Sequence, residues 1–132
     1  MSEETGTCPC GSGVDYQACC GRLHAGDRAP TAERVMRARY SAYALGDADY
    51  LVRTWHPDTR PLAIDLDPEV RWVRLEVLAA VGGGMLDRTG TVEFVAHHRV
   101  VDRAAELHEV SRFERLDGAW VYVDPDEASL LG

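Results

Sequence analysis

The chain has 132 residues, 45% hydrophobic and 27% charged, with a formal net charge of −8. That length suits one main domain burying about two-thirds of its unfolded surface, with no room for a second full one. No apolar run reaches membrane-spanning length, and the acid surplus argues against broad or sequence-specific nucleic-acid binding, which needs clustered cations.

The start, Met1-Ser2-Glu3-Glu4, lacks both a basic stretch and an apolar core, so no signal peptide and a reducing cytoplasmic location are expected. Every cysteine of the chain then falls between Cys8 and Cys20, in Cys8-Pro9-Cys10-Gly11-Ser12-Gly13-Val14-Asp15-Tyr16-Gln17-Ala18-Cys19-Cys20-Gly21. Structural Zn²⁺ takes four thiolate or imidazole ligands in a closed tetrahedron, and two close pairs on a short loop, Cys8/Cys10 and Cys19/Cys20, meet that demand. Gly11 and Gly13 supply the sharp turns between the pairs. A disulfide framework and a redox thiol pair are the competing readings. The first is disfavoured by strain between neighbours and by a reducing compartment, the second by a spacing of one residue or none where two are usual. His24 lies close enough to compete with Cys20 as fourth ligand.

Cys-x-Cys-Gly-Ser-Gly, Tyr16 and Cys19-Cys20-Gly21 together resemble the SEC-C motif, the small zinc module found at the end of the translocation motor SecA. The resemblance implies structural Zn²⁺ on Cys8, Cys10, Cys19 and Cys20 and a contact module for a protein or ribosomal partner, without catalysis. It divides the chain into a zinc module over residues 1–22 and a folded body over residues 23–132.

Arg22 to Pro30 lacks periodicity and reads as a linker. Arg22, Arg28, Arg34, Arg37 and Arg39 follow the cysteines, either as a solvated face with buried stems or as a contact for ribosomal RNA or an acidic partner. Thr31 caps a helix whose face is Val35, Met36, Arg39, Tyr40 and Tyr43, and Gly46 ends it. Asp47 caps a second helix with the face Ala48, Leu51, Val52 and Trp55, which Pro57 closes at His56. Beyond Pro68 the period changes to two. Arg71–Val81 sets Val73, Leu75, Val77 and Ala79 on one face against Trp72, Arg74 and Glu76 on the other, and Gly82-Gly83-Gly84 reverses the chain. Thr91–Val101 alternates Val92, Phe94 and Ala96 against Glu93, Val95 and His97. Alternation therefore sends the adjacent His97 and His98 to opposite faces, where they cannot chelate one ion. Glu106–Leu116 is the third strand, and Asp117-Gly118 is a tight-hairpin signal that pairs Leu116 with Ala119 and Phe113 with Tyr122. The register of the preceding hairpin leaves open whether Glu93 meets Arg112 or Phe113. Two helices followed by a four-stranded meander give an α+β fold, with helices over one face of a curved antiparallel sheet.

Met36-Arg37-Ala38-Arg39-Tyr40-Ser41-Ala42-Tyr43, Thr54-Trp55-His56-Pro57-Asp58-Thr59-Arg60-Pro61, Gly90-Thr91-Val92-Glu93-Phe94-Val95 and Leu107-His108-Glu109-Val110-Ser111-Arg112-Phe113 look like successive signatures of the bacterial YchJ family. That resemblance implies a nuclear-transport-factor-2-like (cystatin-like) roll behind the SEC-C motif. Some members carry a second cysteine module at the C-terminus, and this chain ends Glu127-Ala128-Ser129-Leu130-Leu131-Gly132 without one.

Rolls of this kind enclose a pocket between helix and sheet. Tyr40, Tyr43, Trp55, His56, Arg60, Glu93, His108, Glu109 and Arg112 are the candidate liners, with His108 beside Glu93 or Glu109, and His56 beside Arg60, as the pairs fit for acid–base work. The absence of a nucleophile–base–orienter pattern leans away from an enzyme. The expected function is a cytoplasmic zinc-binding adaptor, with a small-molecule-binding protein or enzyme as the alternative, and a homodimer through the open sheet face is compatible with either.

Overall fold

A computed structural model describes residues 7–126. The acidic start and the cysteine-free end lie outside them. A 3-10 turn at Tyr16–Ala18 leads into α1 (Cys20–His24), α2 (Ala32–Leu45) and α3 (Ala48–Arg53). Four strands follow: β1 (Val70–Gly82), β2 (Thr89–Val100), β3 (Arg103–Leu116) and β4 (Ala119–Pro125). They form one antiparallel sheet in the order β1-β2-β3-β4, and the helices cover its inner face.

The helix signals act as their chemistry dictates. Thr31 Oγ1 accepts from the Arg34 amide at 3.2 Å and Asp47 Oδ1 from the Tyr50 amide at 3.1 Å, each satisfying an amide that the first turn leaves orphaned. Gly46, at φ 77°, closes α2 in the left-handed conformation. Two expectations need correcting. Arg22–Pro30 is not linker throughout, because α1 runs to His24 and buries Leu23. And α3 stops at Arg53 rather than His56, because residues 54–56 leave the helix to bond β4. There the Tyr122 amide donates to Thr54 O (2.8 Å) and the His56 amide to Tyr122 O (2.7 Å).

Asp117 and Gly118 both have positive φ, 53° and 83°, as a two-residue turn matching the sheet's twist requires. Leu116 pairs with Ala119 and Phe113 with Tyr122 as expected, while Glu93 opposes Val110, neither Arg112 nor Phe113. β1 departs from simple alternation. Its register breaks between Trp72 and Arg74 and again between Val77 and Ala79, so Val73 and Leu78 are extra residues. Each bulge exchanges the faces beyond it. Trp72 therefore shares the inner face with Leu75 and Val77 instead of opposing them, whereas Val73 turns out to solvent and Ala79 stands beside outward Glu93.

The core lies between α2, α3 and the inner sheet face, with Val35, Leu51, Val92 and Phe113 at 2% exposure or less. Full burial of side chains this size stabilises by roughly 1.5–3 kcal/mol each. The four cysteines, all at 3% exposure or less, belong to the same continuous cluster, packed on the flank of α2 that carries Ala38 and Ser41.

Candidate metal centre and interior cavity

The cysteine segment is built from tight turns. The Cys8 amide donates to Val14 O (2.8 Å) and the Gly11 amide to Cys8 O (3.1 Å), closing a loop in which Gly11 and Gly13 have φ near +85°. The 3-10 turn then returns the chain, and α1 begins at Cys20. Gly21 follows because no side chain fits there: a Cβ would stand 2.7 Å from Tyr16 O and 2.9 Å from the Tyr16 ring. As a result, the sulfurs of Cys8, Cys10, Cys19 and Cys20 lie within 4.8 Å of one another.

The donor set fits a metal ion. A tetrahedral ion with bonds of about 2.3 Å to sulfur separates its ligands by about 3.8 Å, and Cys10 Sγ and Cys19 Sγ stand 3.8 Å apart. All four are free cysteines. The cluster on its own handles charge unevenly. The Cys8 thiol is pulled far below its usual range by hydrogen bonds from Cys10 and then Cys20, while Cys20 is pushed far up by its hydrogen bonds to Cys10 and Cys8 and by burial. A bound divalent cation would supply the positive charge that lets all four sulfurs ionise together.

Outer partners fix the sulfurs. Ser12 Oγ is 3.2 Å from Cys19 Sγ, Ser41 Oγ is 3.5 Å from Cys8 Sγ, and Arg34 Nη1 lies 4.0 Å from Cys19 Sγ. Arg37 donates to Cys10 O at 2.9 Å and to Glu33 at 3.0 Å. Of the arginines that follow the cysteines, Arg34 and Arg37 thus hold the module and Arg39 is buried. His24 is engaged elsewhere. Its Nε2 donates to Ala38 O at 2.8 Å, which leaves Nδ1 to accept from the Tyr16 hydroxyl at 2.6 Å.

On the opposite flank of α2, between the helix and the inner sheet face, lies a cavity of about 200 Å³. Tyr40, Tyr43, Trp55, Trp72, Phe94 and Tyr122 give it aromatic walls, and its polar groups are Arg39, Glu109 and Ser111. Sheet parity places the last two. Val92 and Phe94 point inward, and their β3 partners Ser111 and Glu109 must do the same. Glu109 Oε2 accepts from Ser111 Oγ (2.6 Å) and from the Tyr122 hydroxyl (3.0 Å). Burial, and then the Glu109 carboxylate, push the Tyr122 hydroxyl well above its usual range.

Arg39 is 6% exposed. Its Nη1 donates to Leu51 O at 2.9 Å and Thr54 Oγ1 at 2.8 Å, and its guanidinium carbon sits 5.0 Å from the Trp55 ring centre and 4.7 Å from that of Tyr122. Burial lowers its pKa from the ordinary value, yet a guanidinium starts so high that it keeps its charge.

Of the residues singled out in the sequence, the structure brings Tyr40, Tyr43, Trp55 and Glu109 to the cavity wall and places the other five elsewhere. Glu93, His108 and Arg112 have outward parity. His108 Nε2 meets Glu93 Oε2 at 2.7 Å on the solvent face, and Arg112 is bidentate to Asp124 at 2.6 and 3.1 Å. His56 turns to Glu114 (3.4 Å), and Arg60 folds back onto Trp55 O (2.9 Å), so the two do not pair. His97 lies outward between Glu76 (2.6 Å) and Glu106 (3.4 Å), whereas His98 packs against Trp72. Sequence reasoning missed Arg39, Trp72, Ser111 and Tyr122 as liners. Arg39 was visible as a cation on the apolar stripe of α2, whereas the Val73 bulge hid Trp72.

A curved antiparallel sheet closed by helices over an interior cavity, with a four-cysteine module docked on the long helix, defines a nuclear-transport-factor-2-like roll bearing a SEC-C module. The family described as "YchJ, middle NTF2-like domain" matches residues 31–125, and the SEC-C motif matches residues 7–22. The chain belongs to the YchJ family, whose bacterial relatives are named UPF0225 proteins. It is 55% identical over 121 residues to one from Streptomyces coelicolor, covering 91% of this chain and 94% of that protein. Identity is 53% to another from Chromobacterium violaceum, covering 88% and 89%. The solution structure of a SEC-C motif containing protein from Rhodopseudomonas palustris superposes with a TM-score of 0.79 at 38% identity, covering 90% of this chain and 96% of that one. A crystal structure of a similarly described protein from Psychrobacter arcticus gives 0.75 at 32% identity, covering 90% and 81%. Among the described residues no helix is long and apolar enough to cross a membrane.

Proposed function

We propose that the roll is a small-molecule-binding domain and that Cys8, Cys10, Cys19 and Cys20 hold one structural Zn²⁺ that staples the N-terminal segment to α2. The observation that carries the reading is the cavity: aromatic walls, a buried guanidinium and a carboxylate converge on one space, where a purely structural core would be filled. The closed set of four sulfurs leaves no open coordination position, so the ion is structural and the chemistry of recognition belongs to the cavity. Such thiolate ligation suits a reducing cytoplasm. Metal analysis should give about one zinc per chain, and small aromatic probes should shift the indole signals of Trp55 and Trp72. Probes that leave both indoles unmoved at millimolar concentration would refute the binding reading.

An adaptor role is favoured by a different observation. The sulfurs face inward, but residues 11–15 between the pairs are exposed, with Val14 45% exposed at their tip. A protein or ribosomal partner would meet the molecule there. Capture from lysate with and without chelator tests it, and partner recovery that survives metal removal would count against it.

A further inference from the structure

Arg39 on α2 and Glu109 on β3 line the same cavity, yet among the described residues no hydrogen bond or ion pair joins them. Each is held by its own element. Arg39 Nη1 is taken by Leu51 O and Thr54 Oγ1, and the guanidinium carbon sits over the rings of Trp55 and Tyr122. What remains is Nε with Nη2, the parallel donor fork that takes both oxygens of one carboxylate. Among the described residues neither nitrogen has a protein acceptor, and neither belongs with the sealed, unpartnered polar atoms there, Trp55 Nε1 and Arg115 Nε. Glu109 spends Oε2 on Ser111 and Tyr122 and keeps Oε1 for a further donor. Glu109 balances the Arg39 charge only from across the cavity, without a direct bond, so the unused fork is left for a guest that brings its own carboxylate.

The walls and the size narrow the guest. An apolar cavity of about 150 Å³ holds a benzene ring, and this one measures about 200 Å³ with aromatic side chains around it. Glu109 opposes a second negative charge, which disfavours dicarboxylates and phosphates.

We propose that the cavity binds a small aromatic monocarboxylate of about benzoate size, its carboxylate on the Nε/Nη2 fork of Arg39, its ring among Tyr43, Trp72 and Phe94, and a ring hydroxyl donating to Glu109. This rests on the small-molecule reading of the cavity and specifies its guest.

The test titrates the metal-replete full chain with benzoate, with benzamide as its neutral isostere, and with the three hydroxybenzoates, by calorimetry and by the indole shifts of Trp55 and Trp72. Benzoate should bind at least about tenfold tighter than benzamide, because only the carboxylate offers two anionic acceptor oxygens to the Arg39 fork. One hydroxybenzoate should bind tighter still, and Glu109→Gln should cancel that gain. Arg39→Met should bring benzoate down to benzamide, and Arg39→Lys, which keeps the charge without the fork, should restore only part of the difference. If Arg39→Met does not fold, the ratio of benzoate to benzamide in the parent decides. Equal binding of benzoate and benzamide overturns the carboxylate proposal and leaves the cavity reading standing. No binding by either overturns both.

Discussion

Replacing Gly21 with Ala tests whether the cysteine segment is welded to the roll. The new methyl would stand 2.7 Å from Tyr16 O and 2.9 Å from the Tyr16 ring, distances that real Cβ atoms do not tolerate. Neither neighbour yields easily. Tyr16 O accepts the Cys19 amide at 3.0 Å, so moving it displaces the Cys19 sulfur from the cluster. The ring is anchored through its hydroxyl to His24 (2.6 Å) and through His24 to Ala38 O on α2 (2.8 Å). Overpacking costs about 1–3 kcal/mol and a lost hydrogen bond about 0.5–1.5 kcal/mol, so the variant should lose about 2–4 kcal/mol. With an unfolding entropy of roughly 2.1 cal/mol/K per residue, that lowers the melting temperature of a chain this size by about 7–14 °C. Circular dichroism melts of zinc-loaded protein measure it. Gly13→Ala is the control: its Cβ meets nothing within 4 Å and pays only for φ +84°, about 1–2 kcal/mol. A Gly21→Ala melt within about 2 °C of the parent, with metal retained, would refute the reasoning.

Cys10→Ser should drop bound metal well below one per chain by mass spectrometry and lower hydrogen-exchange protection in α2, since Cys10 is fully buried in the cluster packed on that helix; unchanged protection would show the segment to be independent of the roll. Phe113→Ala should cost about 3–5 kcal/mol in denaturant melts, as Phe113 is 2% exposed beneath the helices. His108→Ala should change stability by less than about 1 kcal/mol and leave cavity binding untouched, because His108 and Glu93 meet on the solvent face. Burial pushes the hydroxyls of Tyr40 and Tyr50 up to about 12, so each is neutral in the fold at a pH where the unfolded chain ionises near 10. That preference is fully present below about pH 10 and is lost as pH climbs from there through about 12, so stability should fall across that window. Tyrosinate absorbance that reaches full amplitude near pH 10 with the fold intact would contradict it.

Signals that act locally were readable in the residues. Thr31 and Asp47 cap because their oxygens reach amides three positions on, and Asp117-Gly118 turns because both residues tolerate positive φ. The four sulfurs were legible because thirteen consecutive residues can bring them together unaided. What depended on distant strands was not. Two extra residues in β1 reverse its faces, and nothing in Val73 or Leu78 marks either as a bulge, since the break exists only against the register of β2. Glu109 and His108 are adjacent in sequence, and only the pairing of Phe94 with Glu109 decides which enters the interior. Arg39 broke the apolar stripe of α2, a conflict between local pattern and burial that marks a site rather than a scaffold position.

One helix thus serves two masters. Ser41 meets the thiol cluster while Arg39, Tyr40 and Tyr43 wall the chamber, so the two contacts lie on opposite flanks of the same turns of helix. An α-helix transmits displacement along and around its axis with little give, so a shift of the thiol cluster on one flank would be felt by the guanidinium on the other. Linkage would make the dependence mutual: whatever lodges beside Arg39 and favours the metal-bound pose of α2 would tighten the hold on the metal by the same factor. Metal supply and guest concentration would then be read together by a single rigid rod.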